Sequence, residues 1–435
     1  LLVIVALPAV ATLAVAACST TAPPADTGAE WVGTITTEGD VTTVINESGS
    51  VWGGKATLVE EASIGVEAGE EPYMLGSIGA VAATDERIYL LETQPAMVRV
   101  YGMDGVHLFD IGSEGQGPGE ISRPMSMVID AAGRVLVRDA GNHRMTVFSQ
   151  DGELIDTWQL PGGFSTSAES VATPDGRVYV PTSMGRQPGM MRSIVGMTPY
   201  DGDGTAGEPV PPPQPDFEPA SFPPIEESSE GGGRRITYLS VPFTPRPSVE
   251  MSPAGAWVLG VGDGYRFEIR RFDGTTTLVE RRVEPVPVSG AEADWRREST
   301  TKSARTRDPE WTWNGPAIPD HKPYFGSLHA DQNGRVWVQR SGPSTYYEDC
   351  SQAPGYRAPA TDAEPQPCWR GETLYDLFDV DGRYLGEVEF PPGYSPMGNA
   401  YIRDDLLLLV GEDDAGTIVV KHFRLIAPTS AAARR

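Results

Sequence analysis

Cysteine and histidine are scarce in this chain, at three and five residues among 435. Positive charge is short as well: 34 Lys and Arg face 60 Asp and Glu, for a net charge of −26. Each shortage excludes a class of chemistry. An acidic surface repels phosphate backbones, so nucleic acid is not expected as a partner. The histidines, His107, His143, His321, His329 and His422, contain no His-Glu-x-x-His spacing, and the chain has no Gly-x-Ser-x-Gly elbow. The marks of a zincin and of an α/β-hydrolase are therefore missing. The acidic stretch "DGDGTAGEP" (201–209) lacks the sixth-position glycine and distal Glu of a calcium loop, and reads as a solvated turn.

The three cysteines each have a use other than catalysis. Residues 1–17, "LLVIVALPAVATLAVAA", are uncharged and mostly apolar and lead directly to Cys18, as the core of a secretory signal does. "VAAC" (15–18) resembles a bacterial lipobox. The resemblance implies that Cys18 is lipidated and becomes the mature N-terminus, held on a membrane by its acyl chains. No Met or basic segment precedes Leu1, so the natural start is expected upstream. A short transmembrane anchor is the competing reading, although this apolar run is marginal for a bilayer. Residues 18–30, small, polar and proline-bearing, read as a flexible tether. Cys350 and Cys368 flank a loop-like stretch, and in an exported chain such a pair is most simply a disulfide. The expected location is periplasmic or at the cell surface. Ser19, rather than Asp, after the cysteine is compatible with an outer membrane.

What the chain has in quantity is a repeat. "DAAGRVLVRDAGNHRMTVFSQDGELIDTWQL" (130–160) holds three β runs punctuated by turns. The second run alternates apolar with polar residues, and Asp-Gly is a strong hairpin signal. Similar pairs of runs recur at 85–105, 174–202, 256–274, 333–382 and 404–425, which makes six copies. Each needs an inner strand in front, a place that "PMSMVID" (124–130) and "GAVAATD" (79–85) fit. Four strands repeated at about 45 residues are the signature of a β-propeller blade. The expected fold is all-β: a six-bladed β-propeller of four-stranded antiparallel blades over residues 31–427, followed by a tail (428–435). The sixth copy runs out of chain after its third strand, so an N-terminal segment, 40–47 or 55–64, is expected to pair beside residues 417–426 and close the ring.

"GSEGQGPGE" (112–120) looks at first like a phosphate loop. Such a loop must open a helix, and here β-like residues, Pro124 and two glutamates follow or flank it. It reads instead as the crossover between two blades, where glycine permits the tight reversal. "RDAGNHRMTVF" (138–148) resembles an NHL-type unit, with Asp139, Asn142 and Arg144 at its turn-forming and strand-opening positions. Together with the crossover, the repeats resemble a large group of bacterial exported six-bladed propeller proteins. That resemblance implies architecture and no particular reaction.

Two insertions interrupt the rhythm, a proline-rich one at 208–247 and a charged one at 285–322 whose part 289–308 reads as a short helix and loop. "PDHKPYFGSLHAD" (319–331) leads into the inner strand of the fifth unit. His321, Tyr324, His329 and Asp331 are therefore expected at the mouth of the central channel, with Glu120 and Arg123 facing them from another crossover. With no catalytic set recognisable, the expected function is a membrane-anchored, non-catalytic scaffold that binds an envelope protein or small ligand as a monomer. One alternative is a metal-dependent hydrolase or lyase like the lactonase-type and amidating-lyase-type propellers, with a central divalent cation such as calcium. The other is a carbohydrate- or peptide-binding module using Trp295, Trp311 and Trp313.

Overall fold

A computed structural model describes residues 30–160, 166, 168–185, 194–228, 234–354, 356, 366–413 and 415–428. Cys18, the signal segment and most of the tether lie outside these residues, as does the tail after Pro428. Six antiparallel sheets follow one another along the chain. Blade 1 spans Ile78–Ala83, Arg87–Thr93, Ala96–Gly102 and His107–Ile111; blade 2 spans Pro124–Ile129, Val135–Asp139, Arg144–Phe148 and Leu154–Gln159. Blade 4 (Ser248–Ser252, Ala256–Gly260, Arg266–Arg271, Thr276–Arg281) and blade 5 (Ser327–Ala330, Val336–Tyr347, Cys368–Phe378, Tyr384–Val388) are built likewise.

Blade 3 departs from the four-stranded expectation, with Val171–Ala172, Val178–Ser183 and Val195–Tyr200 only. Its outer edge is met by two isolated bridges, Tyr200 to Ala206 and Met197 to Val210. The sequence there explains why. Pro209, Pro211, Pro212 and Pro213 have no N–H to continue a ladder.

Alternation within a strand feeds two different interfaces. Val135 and Val137 pack with Tyr89, Val98 and Phe148 between blades 1 and 2, while Leu136 packs with Trp158, Val178 and Tyr200 between blades 2 and 3. A strand covered on both faces reads as a continuous apolar run, and that is what "VLV" is. Equivalent clusters fill the seams between blades 3 and 4, 4 and 5, 5 and 6, and 6 and 1. The innermost strands of blades 6, 1, 2 and 3 touch in succession, as do those of blades 4 and 5.

Blade 6 consists of Ala400–Arg403, Leu406–Glu412, Ile418–Ile426 and, as its outermost strand, Thr57–Ile64. The last two pair antiparallel from Val420 with Ile64 to Ile426 with Thr57. The segment before this strand wraps the rim. A hairpin, Val32–Glu38 with Val41–Ser48, adds in parallel to the outer strand of blade 4. Residues 51–56 then run along blade 5, where Val51, Trp52 and Ala56 donate to Tyr384, Leu385 and Glu387 carbonyls. Asn46 stitches the three parts: its amide donates to the Glu280 and Gly382 carbonyls, and its oxygen accepts from Tyr384 N–H and the Trp31 indole. One continuous strap thus spans blades 4, 5 and 6.

The glycine cluster is the crossover from blade 1 to blade 2, and its short parallel pair is Ser113–Glu114 with Glu120–Ile121. A Cβ on Gly115 would lie 2.1 Å from the Glu120 carboxylate, so a side chain there would push that carboxylate off the Gly117 N–H. The NHL-type residues hold this loop. Asp139 accepts from the Ser122 and Arg123 N–H groups at 2.9 Å, Asn142 donates to the Gly115 carbonyl, and Arg144 donates to the Gly117 and Glu120 carbonyls.

The two insertions form one cap with its own small core. Phe222, Ile225 and Val241 from the first meet Ala304, Trp311 and the partly buried Trp313 from the second. Helix α1 (Gly290–Arg305) begins at Ser289, whose hydroxyl accepts from the Glu292 N–H, the capping geometry its sequence favours. Trp295 of α1 packs on the Cys350–Cys368 disulfide at the end of the long blade-5 strands.

Candidate functional site

The six residues expected at the channel mouth do not form one group. Glu120 accepts from Gly117 N–H within the glycine crossover, and Arg123 is held there through its backbone. His321 is exposed and pairs with Asp320, and Tyr324 packs against the seam of blades 4 and 5. Asp331 is buried, but in the turn that follows the inner strand rather than at a channel mouth. Its carboxylate accepts from the N–H groups of Asn333 and Arg335, from Arg335 Nε at 2.7 Å and from the Trp337 indole. Asp130 with Arg134 and Asp379 with Arg383 repeat the arrangement. The shared Asp-x-x-Gly-Arg spacing is thus a turn clasp.

His329 alone of the six faces partners from other inner elements. It lies on the innermost strand of blade 5, and its Nδ1 is 2.9 Å from Glu250 on the innermost strand of blade 4. Glu169, just before the inner strand of blade 3, and Arg138 of blade 2 complete the group electrostatically. Burial opposes charge on His329, but Glu250 first and Glu169 next outweigh it and lift the imidazole to about 9. Crowding by protein raises the Glu169 carboxyl despite the pull of His329. None of Glu169, Glu250 and Arg138 stood out in the sequence as a site residue, because they are far apart in the chain and only Arg138, at the start of the NHL-type stretch, lies in a motif.

The raised imidazole gives a pH dependence with a definite sign. A group whose folded value is about 9 against 6.5 unfolded contributes stability in full below pH 6.5 and loses it as pH rises through 9. The expected loss over that window is at most about 3 kcal/mol. Urea unfolding at the two ends of the window should show the loss in the native chain and a much smaller one in His329→Gln. Equal losses in both would contradict the assignment. Among the described residues, no three His, Cys, Asp or Glu side chains are placed to share a metal ion.

A second site was not foreseen. Between blade 5 and the cap lies a cleft of about 280 Å³. Gln339, Arg340, Ser341 and Ser344 come from one long strand and Gly371, Glu372 and Thr373 from its neighbour, while Phe243, Arg296 and Lys322 come from the cap segments. Lys322 is buried; its Nζ donates to the Gly342 carbonyl and the Ser344 hydroxyl and lies 4.0 Å from Glu292. Desolvation lowers its pKa. Arg340 donates to Asp376 at 3.1 Å and Glu387 at 3.0 Å. Arg296 lies between the rings of Phe243 and Trp295, at 5.3 and 5.0 Å. Of the residues around this site the sequence singles out Trp295, as a carbohydrate or peptide contact, and none of the lining residues.

Comparison with known proteins agrees with the architecture. Residues 68–179 match a family described as "6-bladed beta-propeller". Mouse NHL repeat-containing protein 3 is 39% identical over 72 residues, 16% of this chain and 20% of that protein. Protein lin-41 of Caenorhabditis elegans is 42% identical over 48 residues, 11% of this chain and 4% of its own length. The chain thus spans only a small part of these relatives. Among solved structures, a DUF4221-family protein from Bacteroides vulgatus superposes with a TM-score of 0.47 at 11% identity, covering 86% of this chain and 99% of that one. Virginiamycin B lyase from Staphylococcus aureus superposes at 0.39, with 11% identity over 86% and 100% of the two chains. By its sheets the chain is a six-bladed β-propeller, and over residues 68–179 it is similar to the six-bladed propeller family and, over a shorter stretch, to NHL-repeat proteins.

Proposed function

We propose that the protein is an exported, lipid-anchored binding propeller that takes a small ligand in the cleft between blade 5 and the cap. The observation that carries this reading is the construction of the cleft. Two insertions, joined through their own core, bring Phe243, Arg296 and Lys322 over a wall of blade-5 side chains. A ring needs no such roof for stability, whereas a ligand site needs a concave wall with a few convergent polar groups. The disulfide suits an oxidising compartment, and the apolar run before Cys18 supports an anchored address.

The test is ligand capture from detergent-solubilised envelope. Small molecules that co-purify with the full chain are compared by mass spectrometry with those carried by Thr373→Trp, in which an indole fills the cleft from an exposed position. The expected result is a bound species in the native chain and its loss in the variant. The same species at equal occupancy in both would overturn the cleft as the site. In those cells, Cys18→Ser should move the protein from the membrane to the soluble fraction.

A further inference from the structure

From the cleft's lining and a guanidinium there that makes no hydrogen bond or ion pair among the described residues, we infer that the ligand carries an oxyanion, a carboxylate or phosphoryl group, which docks on Arg296. This rests on the cleft being the ligand site. The lining holds three cations, Arg296, Lys322 and Arg340, and one carboxylate, Glu372, an excess of two positive groups in a chain whose net charge is −26. Glu292, Asp376 and Glu387 lie against two of these cations, so the positive charge left to face the cleft is that of Arg296.

The three cations are not equivalent. Arg340 is already committed to Asp376 and Glu387, and Lys322 to a carbonyl, a hydroxyl and Glu292. Arg296 Nε is buried and has no hydrogen-bond partner among the described residues. The guanidinium as a whole lines the cleft and makes no hydrogen bond or ion pair among the described residues, so its charge is available to a ligand oxyanion. Phe243 and Trp295 fix the guanidinium plane but accept no conventional hydrogen bond. Glu292 lies close enough to influence the charge of Arg296, but it accepts from Ser344 and also faces Lys322. Burial lowers the pKa of Arg296 and Arg370 adds to the repulsion, so the guanidinium has charge to be compensated.

The other cavity gives the contrast. At the rim between blades 6 and 1 a cavity of about 310 Å³ also contains arginines, but Arg403 is paired with Asp85 and Arg424 with Glu61, each at 2.6 Å. Of these two cavities, the cap cleft is the one whose lining holds a guanidinium with no hydrogen bond or ion pair among the described residues. The hydroxyls of Ser341 and Thr373 and the amide of Gln339 could serve the rest of a polar ligand. The volume suits a small metabolite.

The experiment titrates the full chain with inorganic phosphate, galacturonate and galactose, read by calorimetry and thermal shift. The expected result is saturable binding of phosphate or galacturonate, weakened about tenfold to a hundredfold in Arg296→Gln, with part of the affinity recovered in Arg296→Lys. Phosphate alone would identify a phosphoryl group, and galacturonate alone a carboxylate. Arg297→Gln, on the exposed face of α1, should bind as the native chain does. Galactose bound as tightly as galacturonate, no saturable binding of either anion, or unchanged affinity in Arg296→Gln would overturn the inference. If Arg296→Gln binds normally while Thr373→Trp does not bind, the cleft reading stands and the anion inference alone falls. If neither variant changes binding, both fall.

Discussion

Asp376→Ala should lower the unfolding free energy by about 3–5 kcal/mol, the usual effect of breaking a buried ion pair from one side. Asp376 is fully buried in the third strand of blade 5. Its carboxylate accepts from Arg281 at 2.6 Å and Arg340 at 3.1 Å, and from the phenols of Tyr265 and Tyr384. Burial opposes its charge, but the two guanidiniums outweigh that and hold it below the usual carboxylate range. Burial and the Asp376 charge together push the Tyr265 phenol well above its ordinary range. Removing the carboxylate leaves Arg281, stacked 3.6 Å over the Tyr384 ring, and Arg340 with their charges facing one another. Arg340 keeps Glu387, which limits the damage. Asp376→Asn, with unchanged volume, should lose a smaller amount. Urea unfolding of the three proteins measures this, and a loss below about 1 kcal/mol in the alanine variant would show that the cluster behaves as an exposed pair.

The second large effect concerns the strap. A chain starting at Gly65 lacks the outermost strand of blade 6, the hairpin on blade 4 and the contacts along blade 5. Its loss uncovers the edge of Ile418–Ile426 and removes Ile64, which is buried between blades 6 and 1. Asn46 goes with it, leaving the Gly382 carbonyl and Tyr384 N–H without that partner. Each buried aliphatic side chain contributes about 1.5–3 kcal/mol. Adding the lost ladder and stitching, the deficit rivals the 5–15 kcal/mol that holds a typical domain folded. The truncated chain is therefore expected to be insoluble or to melt without a cooperative transition, whereas a cut that removes only residues 1–29 should melt like the whole chain. A cooperative transition within a few degrees of the whole chain's would contradict this.

The blades and the candidate sites differ in how readily the sequence discloses them. The blades are legible because strands buried on both faces must be apolar and must turn, so "RVLV", "RVYV" and "RVWV" announce themselves. The crossover glycines are legible for the same local reason. Asp331 was open to a better reading: its spacing to Gly334 and Arg335 repeats that of Asp130 to Gly133 and Arg134, and both are turn clasps. The channel group was not legible, since His329, Glu250, Glu169 and Arg138 come from four blades and meet only when the ring forms. The cleft was hidden differently. Its roof comes from segments whose prolines and charges read as loop and short helix, and its distinguishing feature, a guanidinium without a hydrogen bond, is a property of packing. The strap is intermediate: its alternation shows strands, but only the three-dimensional rim decides that Val41–Ser48 joins blade 4 and Thr57–Ile64 joins blade 6.

Zero-length carbodiimide cross-linking of the unaltered protein tests the closed ring most directly. Lys421 Nζ lies 2.7 Å from the Glu60 carboxylate, joining the last strand to the N-terminal one across 361 residues of sequence. Lys55 lies 2.6 Å from Glu387 and provides a second tie from the strap to blade 5. Peptide mass spectrometry should recover both isopeptides. Recovery of other short ion pairs without Lys421–Glu60, or Lys421 joined to a different carboxylate, would contradict a ring closed by its own N-terminal strand.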